Sequence, residues 1–165
     1  MAEFTCIEQT GFGLANILPR RGASADMLGA ALGANIAPGA RASHGDGITL
    51  LGTAPGQWLA YAPAAQGGWA DTLATRLEGT AGVVDQSAGY VLYTLAGADA
   101  ARLLQKGLSV DMSEAAMPVD SVVVSVIAHI GVIVHRAGPA TFHIAIFRSF
   151  AGAFGHWLEA AASSL

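Results

Sequence analysis

Hydrophobic positions along the chain switch between a period near two and a period near 3.6, and each switch marks an element. Gly11-Phe-Gly-Leu-Ala-Asn-Ile-Leu-Pro reads as a glycine-opened strand stopped by Pro19. Ser24 is placed to cap a short helix carrying Met27, Leu28, Ala31 and Leu32 on one face, with Gly33 just past its end. A loop rich in Gly, Pro and Asn follows. Two short strands, Ile48–Leu51 and Gln57–Ala62, flank the turn Thr53-Ala-Pro-Gly. From Gly68 to Glu78 the spacing of Trp69, Leu73 and Leu77 predicts a helix that ends at Gly79.

The same order then returns. Ala81–Asp85 and Tyr90–Leu95 are expected as strands around Gln86-Ser-Ala-Gly, and Asp99 opens a helix with Ala100, Leu103 and Leu104 inward, closed by Gly107. Val122–Ala128, Val132–His135 and Phe142–Phe147 read as strands. Ser149 is expected to cap a last helix whose stripe is Phe150, Phe154, Trp157, Leu158 and Ala161. Gln57-Trp-Leu-Ala with Trp69 and Leu73 matches Phe142-His-Ile-Ala with Phe154 and Leu158 at a constant offset of 85 residues. The expectation is an α+β fold of duplicated β-α-β-β-α units, ferredoxin-like halves with antiparallel sheets and helices on one face. Residues 1–165 are taken as one domain with halves 1–79 and 80–165, and Trp58, Trp69 and Trp157 fall on core faces.

Composition changes this picture in one respect. The chain is 53% hydrophobic but only 12% charged, against about 25% charged in an ordinary soluble domain. So little charge predicts a surface that another protein covers, and self-association if the chain is made alone. A net charge of −4 argues against nucleic acid and anionic membrane surfaces, which demand clustered positive charge. The strongly apolar run Ser121–His135 is shorter than the ~20 residues of a membrane helix. The N-terminal Met1-Ala-Glu-Phe-Thr-Cys has neither the basic stretch nor the apolar core of a signal peptide, so a cytoplasmic location is expected.

Candidate chemistry is sparse. Cys6 is the only cysteine and reads as a half-buried packing residue. The histidines (His44, His129, His135, His143 and His156) show no helical i, i+4 pairing of the kind that holds zinc, so no metal is expected. Gly11-Phe-Gly-Leu-Ala-Asn lacks the third glycine of a dinucleotide loop. Between Asp120 and Glu159 there is no acidic residue, and Asp85, Asp111 and Asp120 are expected to satisfy turns and caps. No catalytic, cofactor-binding or metal residue is therefore assigned. Lys106, Arg148, Phe150, Gly152 and Gly155 are the candidate interface residues, the two glycines permitting close approach of another backbone.

Several segments carry a family resemblance: Pro55-Gly-Gln-Trp-Leu, Val83-Val-Asp-Gln-Ser-Ala-Gly, the run Leu95–Asp111, Met117-Pro-Val, Phe147-Arg-Ser-Phe-Ala and His156-Trp-Leu. In order and spacing they are similar to the gamma subunit of heterotetrameric sarcosine oxidase and, more distantly, to the folate-binding aminomethyltransferase fold of the glycine cleavage system. The resemblance implies a non-catalytic subunit of a flavoenzyme that oxidatively demethylates sarcosine or a related N-methyl amino acid. It implies that FAD, FMN, NAD and tetrahydrofolate sit on partner subunits (alpha, beta and delta). Leu108 stands where that family usually has cysteine, and Ala88 replaces a common acid. The aminomethyltransferases place a catalytic aspartate after the hairpin corresponding to Ala128–Val132, where this chain has none. The alternatives are a free-standing folate or small-molecule binding module and, less favoured for want of that acid, an independent aminomethyltransferase-like enzyme.

Overall fold

The computed structural model describes residues 3–165. Met1 and Ala2 of the N-terminal segment lie outside the described residues. Two compact units form: Thr10–Ala88, and the segment ending at Gln9 together with Gly89–Leu165.

The Thr10–Ala88 unit contains β2 (Gly13–Pro19), α1 (Ala25–Leu32), β3 (Ala42–Gly45), β4 (Ile48–Ala54), β5 (Gln57–Ala62), α2 (Trp69–Arg76) and β6 (Ala81–Asp85). Its strands pair antiparallel throughout in the order β3-β4-β5-β2-β6. Ser24 caps α1 as expected, accepting from the Met27 N–H at 3.2 Å, and Gly33 closes it in the left-handed conformation at φ 64°. Leu28 and Leu32 of α1 and Leu73 of α2, with Leu77 just past it, bury against Ala15, Ile17, Ile48, Leu50 and Ala60. Gly13 starts β2 where a Cβ would meet the Trp69 ring at 2.6 Å, so only glycine lets the indole pack this close to the backbone.

The second unit contains β1 (Thr5–Glu8), β7 (Tyr90–Ala96), α3 (Ala100–Gln105), β8 (Val122–Ile127), β9 (Ile130–Gly138), β10 (Thr141–Phe147) and α4 (Ala151–Ala162). It too is antiparallel, in the order β8-β9-β10-β7-β1. Leu103 and Leu104 of α3 and Phe154 and Ala161 of α4 pack on Val91, Leu95, Phe142, Ile144 and Ile146. Placed side by side, the sheets have one plan: β5 occupies the position of β10, β2 that of β7, and β6 that of β1. The duplicated α+β architecture is present, with five strands per unit where a β-α-β-β-α unit has three.

Four expectations are corrected. The division at 79/80 misplaces two strands: β6 pairs with β2, and β1 pairs with β7 about 90 residues away. The loop after Gly33 contains β3, which pairs with β4. Ala128 and His129 are not strand; they form the two-residue turn between Ile127 and Ile130, with φ of 48° and 68°. Ser149 does not cap α4, because Arg148–Phe150 make a 3-10 turn and Phe150 takes the cap position without a side-chain bond. The three tryptophans lie on core faces as expected, each half-buried. No helix among the described residues is long and apolar enough to cross a membrane.

Candidate functional site

The β8–β9 hairpin is the place after which the aminomethyltransferase resemblance implies an acid that this sequence lacks. Its turn presents only Ala128 and His129, both exposed. Downstream on β9, His135 is buried, and its Nε2 lies 3.4 Å from Asp120 Oδ1. The sheet register sets His143 of β10 opposite His135, with ring centroids 5.6 Å apart and edge-on. Burial, with His135 beside it, pushes the His143 imidazole down to about 4. The His143 imidazole is therefore neutral at ordinary pH and offers no charge to a substrate. The sequence placed these histidines on different elements without bringing them together; only the β9–β10 register does that.

The remaining acids mostly behave as turn residues. Asp85 Oδ1 accepts from the Ser87 N–H at 2.9 Å and from its hydroxyl at 2.7 Å, and Asp111 Oδ1 accepts from the Ser113 N–H at 2.8 Å. These bonds hold the Asp111 carboxyl below its ordinary range. Asp120 is different: it sits at φ 69° and faces His135. Asp99 stands before α3, but its carboxylate accepts from the Glu3 N–H at 2.8 Å and leaves the helix uncapped. Burial pushes the Cys6 thiol up to about 11, so it is no nucleophile at neutral pH.

The irregular segment from Gly107 to Asp120 is clamped from two sides. Gln105 Nε2 donates to the carbonyls of Leu108 and Val110, and its Oε1 accepts from the Met112 N–H. Buried Arg136 donates to the carbonyls of Met112, Met117 and Pro139, with its Cζ 5.3 Å from the Phe142 ring centroid. Between α3 and this segment lies a mostly apolar cleft of about 470 Å³, lined by Ala101, Arg102, Gln105, Lys106, Met112 and Ser113. The sequence did not single it out, because nothing local marks Gln105 and Arg136 as clamps.

The candidate interface residues occupy the same unit. Lys106 Nζ donates to the carbonyl and hydroxyl of Ser164, at 2.6 and 2.7 Å, which ties α3 to the end of α4. Arg148 Nη2 donates to the Tyr90 carbonyl at 2.8 Å. Phe150 is 43% exposed. At Gly152 and Gly155 a Cβ would meet nothing within 4 Å, so neither glycine is required by packing inside the chain.

Residues 21–164 match the sarcosine oxidase gamma subunit family. The chain belongs to that family. Over 98% of this chain and 84% of the other, the fold superposes with a TM-score of 0.85 and 26% identity on a chain of heterotetrameric sarcosine oxidase from Corynebacterium sp. U-96 in complex with pyrrole 2-carboxylate. Glycine cleavage system aminomethyltransferase T from Bartonella henselae shares the fold alone, at a TM-score of 0.69 and 15% identity over 95% of this chain and 45% of that one. No curated protein sequence is significantly similar to the chain.

Proposed function

We propose that this gamma-family chain is a non-catalytic subunit of a sarcosine oxidase-type assembly, with alpha, beta and delta subunits as its partners. The flavins, nicotinamide dinucleotide and folate belong, in this reading, to those partners. The observation that carries it is family membership joined to a superposition over nearly the whole chain on a heterotetrameric sarcosine oxidase chain. The acid-free hairpin supports it, since a proton-transfer role needs a placed acid or base. Phe150, Gly152 and Gly155, flanked by Arg148 and Lys106, are the surface offered to a partner; Val124 and Val126, 56% and 57% exposed on the edge strand β8, extend the apolar character of that unit.

Co-expression with flavoprotein subunits tests it. The expected result is a stoichiometric complex that survives high salt, because an apolar contact is not screened. The chain alone should release neither peroxide nor formaldehyde from sarcosine. A monodisperse monomer without affinity for any flavoprotein, yet with saturable folate binding, would establish the free-standing binding module instead.

A further inference from the structure

The edges of the two sheets are β1 and β8 in one unit and β3 and β6 in the other, and they are not finished alike. β1 and β3 are four residues each; β1 ends in Glu8, and Arg41 precedes β3. β6 contains Gly82 and ends in Asp85. Short length and charge are the usual guards against another strand adding to a free edge. β8 has neither. Its six residues, Val-Val-Val-Ser-Val-Ile, contain no charge, proline or glycine. They keep an unbroken register with β9 from Val122 opposite His135 to Ile127 opposite Ile130, and no other described strand pairs with them. Water solvates the backbone of any sheet edge; this one is set apart by an uncharged, β-branched stretch of high strand propensity.

The turn fixes which backbone groups face outward. Ala128 and His129 form a two-residue hairpin loop, so Ile127 and Ile130 are a hydrogen-bonded pair, and the bonds to β9 fall on Ile127, Ser125 and Val123. The Arg136 N–H donates to the Ser121 carbonyl at 3.0 Å, which continues that phase. The N–H and C=O of Val122, Val124 and Val126 therefore point away from β9. The side chains of Val124 and Val126 are exposed, on the face opposite Val123 and Ile127, which pack in the core. An antiparallel copy of β8 fits this edge best in one register. With Val124 opposite Val124 of the copy, Val122 stands opposite Val126, and each outward residue exchanges both bonds with its counterpart. A shift of one residue sets outward groups against groups already bonded to β9; a shift of two loses a pair. The side chains brought together are valines, a favourable cross-strand pairing, and no charge opposes another.

We infer that β8 is the contact between two copies of this chain, paired antiparallel about a two-fold axis at Val124. So little charge over the whole sequence predicts self-association, and the contrast among the sheet edges shows where it occurs. The contact is isologous, the same strand serving on both sides, so it closes at two copies. β8 is distinct from the elements carrying the candidate interface residues, and the inference does not rest on the subunit reading.

Sedimentation of the full chain tests it. At high micromolar concentration the unaltered chain is expected as a dimer that dissociates on dilution, since a single strand pair makes a small interface. Val124→Lys sets like charges directly opposite each other, at a Cα separation of about 5.5 Å, and should weaken dimerisation at least tenfold. Val124→Glu should do the same. Mixed in equal amounts, the two variants should pair with each other and recover the dimer, which neither a misfolded variant nor a contact elsewhere on the surface would do. A monomer at that concentration, a dimer that both single variants keep, or a mixture that stays monomeric would each overturn the self-pairing. A monomeric chain that joins a flavoprotein complex and loses that ability with Val124→Lys would overturn it as well, by giving the edge to a partner's strand, and would leave the subunit reading standing.

Discussion

His143 sets a pH dependence that its sequence neighbours do not announce. Its imidazole is held near 4 by burial and by His135, while in an unfolded chain it titrates near 6.5. Between those values the unfolded state binds the extra proton, so stability is full above about pH 6.5 and declines as pH falls toward 4. Thermal unfolding at pH 7.5 and 5 should show a drop in Tm that His143→Gln reduces. Arg136 is the other residue whose burial has a consequence. It is 4% exposed, pairs with no carboxylate among the described residues, and serves three carbonyls at once. Arg136→Met leaves those carbonyls without their donor, a cost of about 3 kcal/mol or more; urea denaturation should show it, with Arg136→Lys intermediate. At this scale the sequence was legible where chemistry is local. Ser24, Asp85 and Asp111 bond to backbone two or three residues away, within a window that spacing exposes. His135 with His143, and Arg136 with Met112, meet through sheet register and a clamped loop, which no window contains.

Among the elements, the β8–β9 hairpin carries visible strain. Ala128 and His129 both adopt the left-handed conformation in a two-residue turn, a geometry that Asn-Gly fits and that costs other residues roughly 1–2 kcal/mol each. The double variant Ala128→Asn/His129→Gly should raise stability by about 1 kcal/mol in chemical denaturation. The α4 helix offers the complementary case. Gly155→Arg extends into open space on a helix that glycine weakens. The isolated chain should keep or gain Tm, while incorporation into a co-expressed flavoprotein complex falls. The elements that periodicity found run five to twelve residues, enough for an apolar pattern to repeat. β1 and β3 escaped it for a physical reason: Thr5-Cys-Ile-Glu and Ala42-Ser-His-Gly are four residues each and gain their order from a neighbouring strand. Ser149 misled because a serine before an apolar stripe fits a cap equally well when a 3-10 turn intervenes.

Across the whole molecule, the repeat was legible in the helices, where Trp69 and Leu73 of α2 match Phe154 and Leu158 of α4. In the strands the same offset sets the core-facing Trp58 and Ala60 of β5 against His143 and Ala145, one residue out of step with the core-facing Phe142, Ile144 and Ile146. The exchange of edge strands was not legible. Each sheet needs a fifth strand beside β2 or β7; one is supplied by the residues after α2, the other by residues that precede everything else described. Removing residues 1–9 should therefore cost the two units unequally. Hydrogen exchange should quicken in β7 and β10, while β2, β4 and β5 keep their protection.

That exchange also orders events in time. Thr10–Ala88 is an uninterrupted stretch, so everything its sheet requires has left the ribosome once β6 has emerged. β1 is made before it and has no partner until β7 follows; its sheet then waits for β10. At roughly 5–20 residues per second that interval is on the order of ten seconds. Until β7 emerges β1 has no partner, and the core against which Cys6 packs is completed only by β10 and α4, the last part of the chain.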